Sequence, residues 1–236
     1  MKSACVFAVL ALCGTAVADD IVYDTMLPFS PFGGWWIIVD QNAALESDSR
    51  VESPLGFENA AQVGQAIRLG GTSRHLTGLT YRMIRHARQS GDITGQALIN
   101  IHRNDSGVPG ELLTTVAHPF VIPSTANVFE RQWFDFTAPL DVQVPSTFFW
   151  SLALTDVSYP GPLNAEFGIL DVYNSLTEPY TGAFLTPSLM QDSTSLEWID
   201  HTLGQFQGLQ VRITAIPAPA TGLALVAGLI ATRRRR

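Results

Sequence analysis

Alternation with a period of two is the feature that most restricts how this chain can fold. In Ala97-Leu98-Ile99-Asn100-Ile101-His102, residues 97, 99 and 101 are apolar while Asn100 and His102 share the opposite face, as side chains do on a half-buried strand. Leu209-Gln210-Val211-Arg212-Ile213 repeats the pattern. Trp35 to Val39, Gln65 to Leu69, Leu76 to Ile84, Leu112 to Ala117, Gln132 to Phe136, Phe148 to Leu154 and Glu166 to Val172 are also strand-like, separated by glycine, proline and Asn/Asp turns. Long 3.6-residue periodicity is absent. Ala60 to Ile67 is read as one or two helical turns, weakened by Gly64. Short strands at this density predict an all-β domain over residues 19–216, an antiparallel β-sandwich that is jelly-roll-like. A chain of that size buries roughly 70% of its unfolded surface, so its core suffices for one stable domain.

The two ends carry addresses. Lys2 precedes an uncharged apolar run, Ala4 to Ala18, that closes on Ala16-Val17-Ala18 before Asp19. This is the pattern of a secretory signal peptide, 1–18, forming a signal helix and cut by signal peptidase after Ala18. Leu12 stands before Cys13 where acylation requires a small residue, which argues against a lipoprotein. At the other end Pro217-Ala218-Pro219 leads into an apolar run from Gly222 to Ala231 and then Arg233, Arg234, Arg235 and Arg236. Arginine stays charged on the cytoplasmic side while the apolar run enters the bilayer. As a short helix, Gly222 to Ala231 spans only about 15 Å against a hydrocarbon core of about 30 Å, so the anchor is marginal and temporary.

This tail, 217–236, resembles the PEP-CTERM sorting signal of exported bacterial proteins, with Ala218 where that family usually has glutamate. The resemblance implies recognition and cleavage by an exosortase-like membrane protease, transient inner-membrane anchoring, and delivery to the cell surface or extracellular matrix. A second resemblance runs from about residue 60 to 215. Ile99 to Leu113, with its Asn104-Asp105-Ser106-Gly107-Val108-Pro109-Gly110 turn, is similar to the matching segment of the choice-of-anchor exported domains, and Gly64 to Leu69, Leu76 to Thr80 and Phe148 to Leu154 fill the places of its flanking strands. That resemblance implies a β-sandwich and brings no catalytic residues.

Both cysteines, Cys5 and Cys13, lie in the signal. The mature chain therefore has no disulfide, no thiol nucleophile and no cysteine-ligated zinc. Without Lys2 and the terminal arginines, nine arginines face 21 acidic residues, a formal charge of −12. Such a field repels phosphate backbones and disfavours nucleic acid as a partner.

Candidates for chemistry are few. The Asn104 to Gly110 segment has the composition of a tight hairpin, with Gly107 and Gly110 allowing positive φ; its alternative use is a calcium loop on Asn104 and Asp105, short of the six to eight oxygens that ion takes unless Glu111 joins. Trp35 and Trp36 face opposite sides if they lie on a strand, which makes one of them a possible contact for extracellular polysaccharide, whereas Trp150, among Phe148, Phe149 and Leu152, is core. Arg68, Arg74, Arg82, Arg85, His86 and Arg88 are read as a solvated strand edge and hairpin, or else as a grip for an acidic polysaccharide. His75, His86, His102, His118 and His201 lack metal-ligand spacing, and His118 before Pro119 reads as a strand end. No nucleophile elbow, Walker loop or dinucleotide fingerprint occurs. Glu166, Asp171 and Glu178, with Asp192, Glu197 and Asp200, are the carboxylates a glycosidase could use. The expectation is a non-enzymatic exported protein without cofactor or metal; a carbohydrate-binding module is the alternative, and a secreted polysaccharide hydrolase comes third.

Overall fold

The computed structural model describes residues 19–26, 36–39, 58–60, 62–86, 91–124, 131–158, 167–172, 179–187, 189–191, 196–200 and 208–217. The signal helix and the apolar helix of the tail lie outside the described residues. Within them are fifteen strands and no helix. One sheet contains β1 (Asp20–Asp24), β2 (Trp36–Val39), β3 (Glu58–Ala60), β5 (His75–His86), β8 (Arg131–Gln143), β10 (Phe167–Val172), β14 (Gly208–Leu209) and β15 (Val211–Ile216). The other contains β4 (Gln62–Arg68), β6 (Ile93–Asp105), β7 (Val108–Ile122), β9 (Thr147–Ser158), β11 (Ala183–Phe184), β12 (Leu189–Gln191) and β13 (Trp198–Asp200).

In the first sheet the order runs β1–β15–β5–β10–β2–β3, with β8 on the other flank of β5 and β14 beside β10. In the second it runs β13–β12–β4–β9–β6–β7, with β11 also on β4. Every pairing is antiparallel except that of β2 with β3. The nine expected segments coincide with β2, β4, β5, β6, β7, β8, β9, β10 and β14–β15, with the last pair interrupted at Gln210. Trp35 lies outside the described residues.

The two sheets share one core. Leu79, Tyr81 and Met83 of β5 and Val211 and Ile213 of β15 join Phe148, Trp150 and Leu152 of β9 and Ile99 and Ile101 of β6 in a single buried cluster. Phe120 of β7 meets Phe136 of β8 edge to face across it at 6.0 Å. Trp150 is completely buried, as its apolar neighbours required. The run Phe148 to Leu154 is buried on both faces, because β9 lies between β4 and β6 with the core on one side and Ala66, Leu189 and Trp198 over Phe149 on the other. That double burial explains why this strand is continuously apolar apart from Ser151.

The helical turn expected over Ala60 to Ile67 is replaced by strand: Ala60 ends β3, and Gln62 to Ile67 lie in β4. Tertiary packing decides the matter. A Cβ on Gly64 would lie 2.5 Å from the Trp150 carbonyl oxygen and 2.6 Å from the Phe149 ring, so glycine lets β4 lie flat against β9. The basic stretch is corrected too: β5 is no edge, being flanked by β15, β10 and β8. Arg82 donates to both oxygens of Asp135 at 2.6 and 2.8 Å and to Gln210 Oε1 at 3.0 Å, while Arg74 donates to the carbonyls of Gly70, Gly71 and Ser73 and closes that turn.

Between β6 and β7 the hairpin turns on Ser106 and Gly107, with φ of 56° and 100°, the backbone of a two-residue type I′ turn. Asn104 Oδ1 accepts the Gly107 N–H at 2.9 Å. Gly107 uses the positive φ open to it, whereas Gly110 does not and lies within β7. We expect Gly64→Ala to cost about 2 kcal/mol or more, the scale of an overpacked core position, read as a lower urea midpoint with an unchanged slope. Parent-like stability would mean that β4 and β9 do not approach as described.

Candidate functional site

Side chains alternate across β9, so Phe149 and Ser151 leave the shared core and point to the outer face of the second sheet. There a chain of uncharged polar groups crosses five strands. Thr115 Oγ1 of β7 donates to Asn100 Oδ1 of β6 at 2.7 Å. Ser151 Oγ of β9 and Asn100 Nδ2 donate to Gln62 Oε1 of β4 at 2.9 and 3.3 Å. Gln62 Nε2 donates to Gln191 Oε1 of β12 at 3.1 Å, and Gln191 Nε2 to the Leu196 carbonyl at 3.0 Å. With strands about 4.8 Å apart, the ladder runs roughly 19 Å across the sheet.

An aromatic row lies beside it. Phe149 is buried beneath Trp198, whose ring meets it at 5.0 Å and 76°, and His102 meets its other flank at 6.4 Å and 76°. His102 Nδ1 is hydrogen-bonded to the Gly110 carbonyl at 3.2 Å. Asn100, Thr115, Gln62 and Gln191, with Leu98 and Ala117 in the neighbouring row, present no charge. The outer face of the first sheet differs: it carries the Arg82–Asp135 and His75–Asp141 pairs at 2.6 and 2.7 Å, and the Thr80–Thr137 bond at 2.8 Å.

Each amide of the ladder is fixed in orientation by its neighbours yet is not exhausted. An amide has two N–H donors and two lone pairs, so Gln62 and Gln191 each retain an N–H, and Asn100 a lone pair, beyond the bonds described. These residues were missed in the sequence because the contacts join positions as far apart as Gln62 and Gln191, 129 residues; the only local signal was Asn100 on the polar face of its strand.

The residues singled out beforehand are dispersed. Trp36 begins β2 and Pro217 follows β15. Trp35, Ala218, Pro219 and Arg233 to Arg236 lie outside the described residues, as do Glu166, Glu178, Asp192 and His201. Asn104 spends its amide oxygen inside the hairpin. Among the described residues no three His, Cys, Asp or Glu side chains gather as a metal site would require.

His118 is not at a strand end: it lies within β7, and its Nδ1 is 3.1 Å from the Tyr81 hydroxyl of β5, a bond between the two sheets. Burial lowers the pKa of His118 and pushes the Tyr81 hydroxyl well above the usual phenol range. Burial also lowers His102, against the opposing effect of its bond to Gly110.

Compared with known proteins, the chain matches no family model, no curated protein and no solved structure. The geometry does yield a pH dependence. A histidine held below its ordinary value of 6.5 in the folded state binds protons more readily when unfolded, so its contribution is fully present above pH 6.5 and is lost as pH falls below it. The melting temperature should therefore fall between pH 7.5 and 5.5, and His102→Gln with His118→Gln should flatten that slope. An equal slope in parent and variant would contradict the assignment.

Proposed function

We infer that the chain is an exported, non-enzymatic protein of the cell surface or extracellular matrix, whose two-sheet body is a jelly-roll-like β-sandwich carried between a signal peptide and a PEP-CTERM-like tail. Strand order supports the architecture. Taken along the chain, β1, β4, β5, β6, β7, β8, β9 and β15 fall in the first, second, first, second, second, first, second and first sheet, and pair as β1–β15–β5–β8 and β4–β9–β6–β7, the order of two interleaved Greek keys.

One observation carries the export reading. The first strand begins at Asp20, two residues after the Ala18 site, and the last ends at Ile216, directly before the Pro217 hinge of the tail. The described strands thus fill the interval between the two addresses. Intact-mass analysis of the native protein should give a chain that starts at Asp19 and lacks Arg233 to Arg236. Recovery of an extracellular species that retains Arg236 would contradict sorting by cleavage of the tail.

The outer-face ladder favours a second reading, an uncharged glycan as ligand. Amides held in fixed orientations with unspent donors and acceptors suit a hydroxyl-rich polymer, because little ordering remains to oppose binding. On this reading Gln62, Asn100, Gln191 and Trp198 form a glycan contact separate from the candidate pair Trp35 and Trp36. In native gels containing neutral polysaccharides the parent should be retarded, and Asn100→Ala with Gln191→Ala should migrate as though no polysaccharide were present. Parent mobility that is the same with and without every polysaccharide would remove this reading.

A further inference from the structure

In the β1–β15 ladder, Asp20 pairs with Ala215 and Ile21 with Thr214. Such partners lie about 5 Å apart. Asp19 and Pro217, the residues at which the two addresses join the body, therefore stand at the same end of one strand pair. Side chains fix that end: Thr77 Oγ1 donates to Asp19 Oδ2 at 3.0 Å, and Ser73 Oγ to Asp20 Oδ2 at 2.9 Å. Ile216 pairs with His75 and His75 with Gln143, so the starts of β1 and β5 and the ends of β15 and β8 lie at a common pole.

The connections at that pole are short: six residues between β4 and β5, two between β6 and β7, and three between β8 and β9. On the tail side, the five residues from Pro217 to Thr221 reach at most about 18 Å when extended. On the signal side, Asp19 alone separates Ala18 from β1. Little chain is available at either end to let the body turn away from a bilayer that holds it.

We propose that the β1–β15 pair is a clasp that sets the processing topology. Both membrane-directed segments leave the body side by side from one pole, that pole faces the membrane, and the body closes while the chain is still tethered at both ends. This rests on the export reading of the two termini, but it goes beyond it: addresses at opposite poles would be equally compatible with export and would require one end to be released before the last strand could dock.

The test uses the full chain in a bacterium that exports it, with Cys5→Ser and Cys13→Ser so that the introduced cysteines are the only ones. Ile21→Cys with Thr214→Cys reports the clasp, because directly paired strand residues lie within disulfide range. The same pair is placed in a chain whose signal cleavage is blocked by Ala16→Leu and Ala18→Leu. Thiols are trapped by alkylation and the chains compared on non-reducing gels. Cross-linking of the uncut chain within about twofold of the cut chain is the expected result. A tenfold loss in the uncut chain, or no cross-link in either exported form, overturns the clasp. A cleavable chain carrying the cysteine pair that keeps its signal and leaves the introduced thiols reduced overturns export itself, and the clasp with it. Protease digestion of the cut and uncut chains without introduced cysteines guards against variants that do not fold: a resistant body of equal size in both agrees with the clasp, and degradation of the uncut chain alone contradicts it.

Discussion

Strand β9 is buried on both faces, and the rest of the molecule is arranged around that constraint. Phe148, Trp150, Leu152 and Leu154 contribute to the core shared with the first sheet, while Phe149 and Ser151 form the floor of the outer face. Because a strand has only two faces, anything that moves β9 disturbs the core and the polar ladder together. Gly64 makes the close contact with β4 possible, and Trp150 carries a cost: its indole N–H, buried among apolar groups, meets no acceptor among the described residues. The indole sits in the core cluster shared by the two sheets.

Charge is distributed unevenly over the two outer faces. On the first sheet, among the described residues, Arg82 is clamped to Asp135 and Arg212 to Asp24 at 2.9 Å. The second sheet joins five of its strands with neutral amides and hydroxyls, and among its described residues Arg103 of β6 pairs with Glu111 of β7 at 2.8 Å near the hairpin. In a body of strongly negative net charge, the neutral ladder is the strip an uncharged polymer can approach without loss of hydration at paired ions. The Tyr81–His118 bond ties the two sheets together near the edge strand β7, where protonation of the imidazole has to overcome burial.

How much was legible in the sequence follows from the range of the interactions. Period-two segments such as Ala97 to His102, and the turn chemistry of Asn104 to Gly107, are local signals, and the strands and the hairpin were found from them. The short strands β1, β3, β11, β12 and β13 were not, since their few residues gain stability only from pairing with β15, β2 and β4 and with one another. Ala60 to Ile67 was misread because its helical composition is overridden by contact with β9, to which no local signal points. Which of Gly107 and Gly110 takes positive φ is not legible locally, because glycine permits that conformation without requiring it. The polar ladder escaped notice entirely: Gln62, Ser151 and Gln191 look like ordinary surface residues until the register places them in adjacent strands.

The account depends most on the double burial of β9, and residue-resolved native-state hydrogen exchange measures it most directly. Amides of a strand enclosed on both faces and paired on both edges open only when the whole body unfolds. The amides from Phe148 to Leu154 should therefore be among the slowest in the protein and share one free energy of opening, equal to that from chemical denaturation. Exchange of these amides through local opening, at rates comparable to those of the edge strand β7, would contradict the fold described and the candidate site built on it.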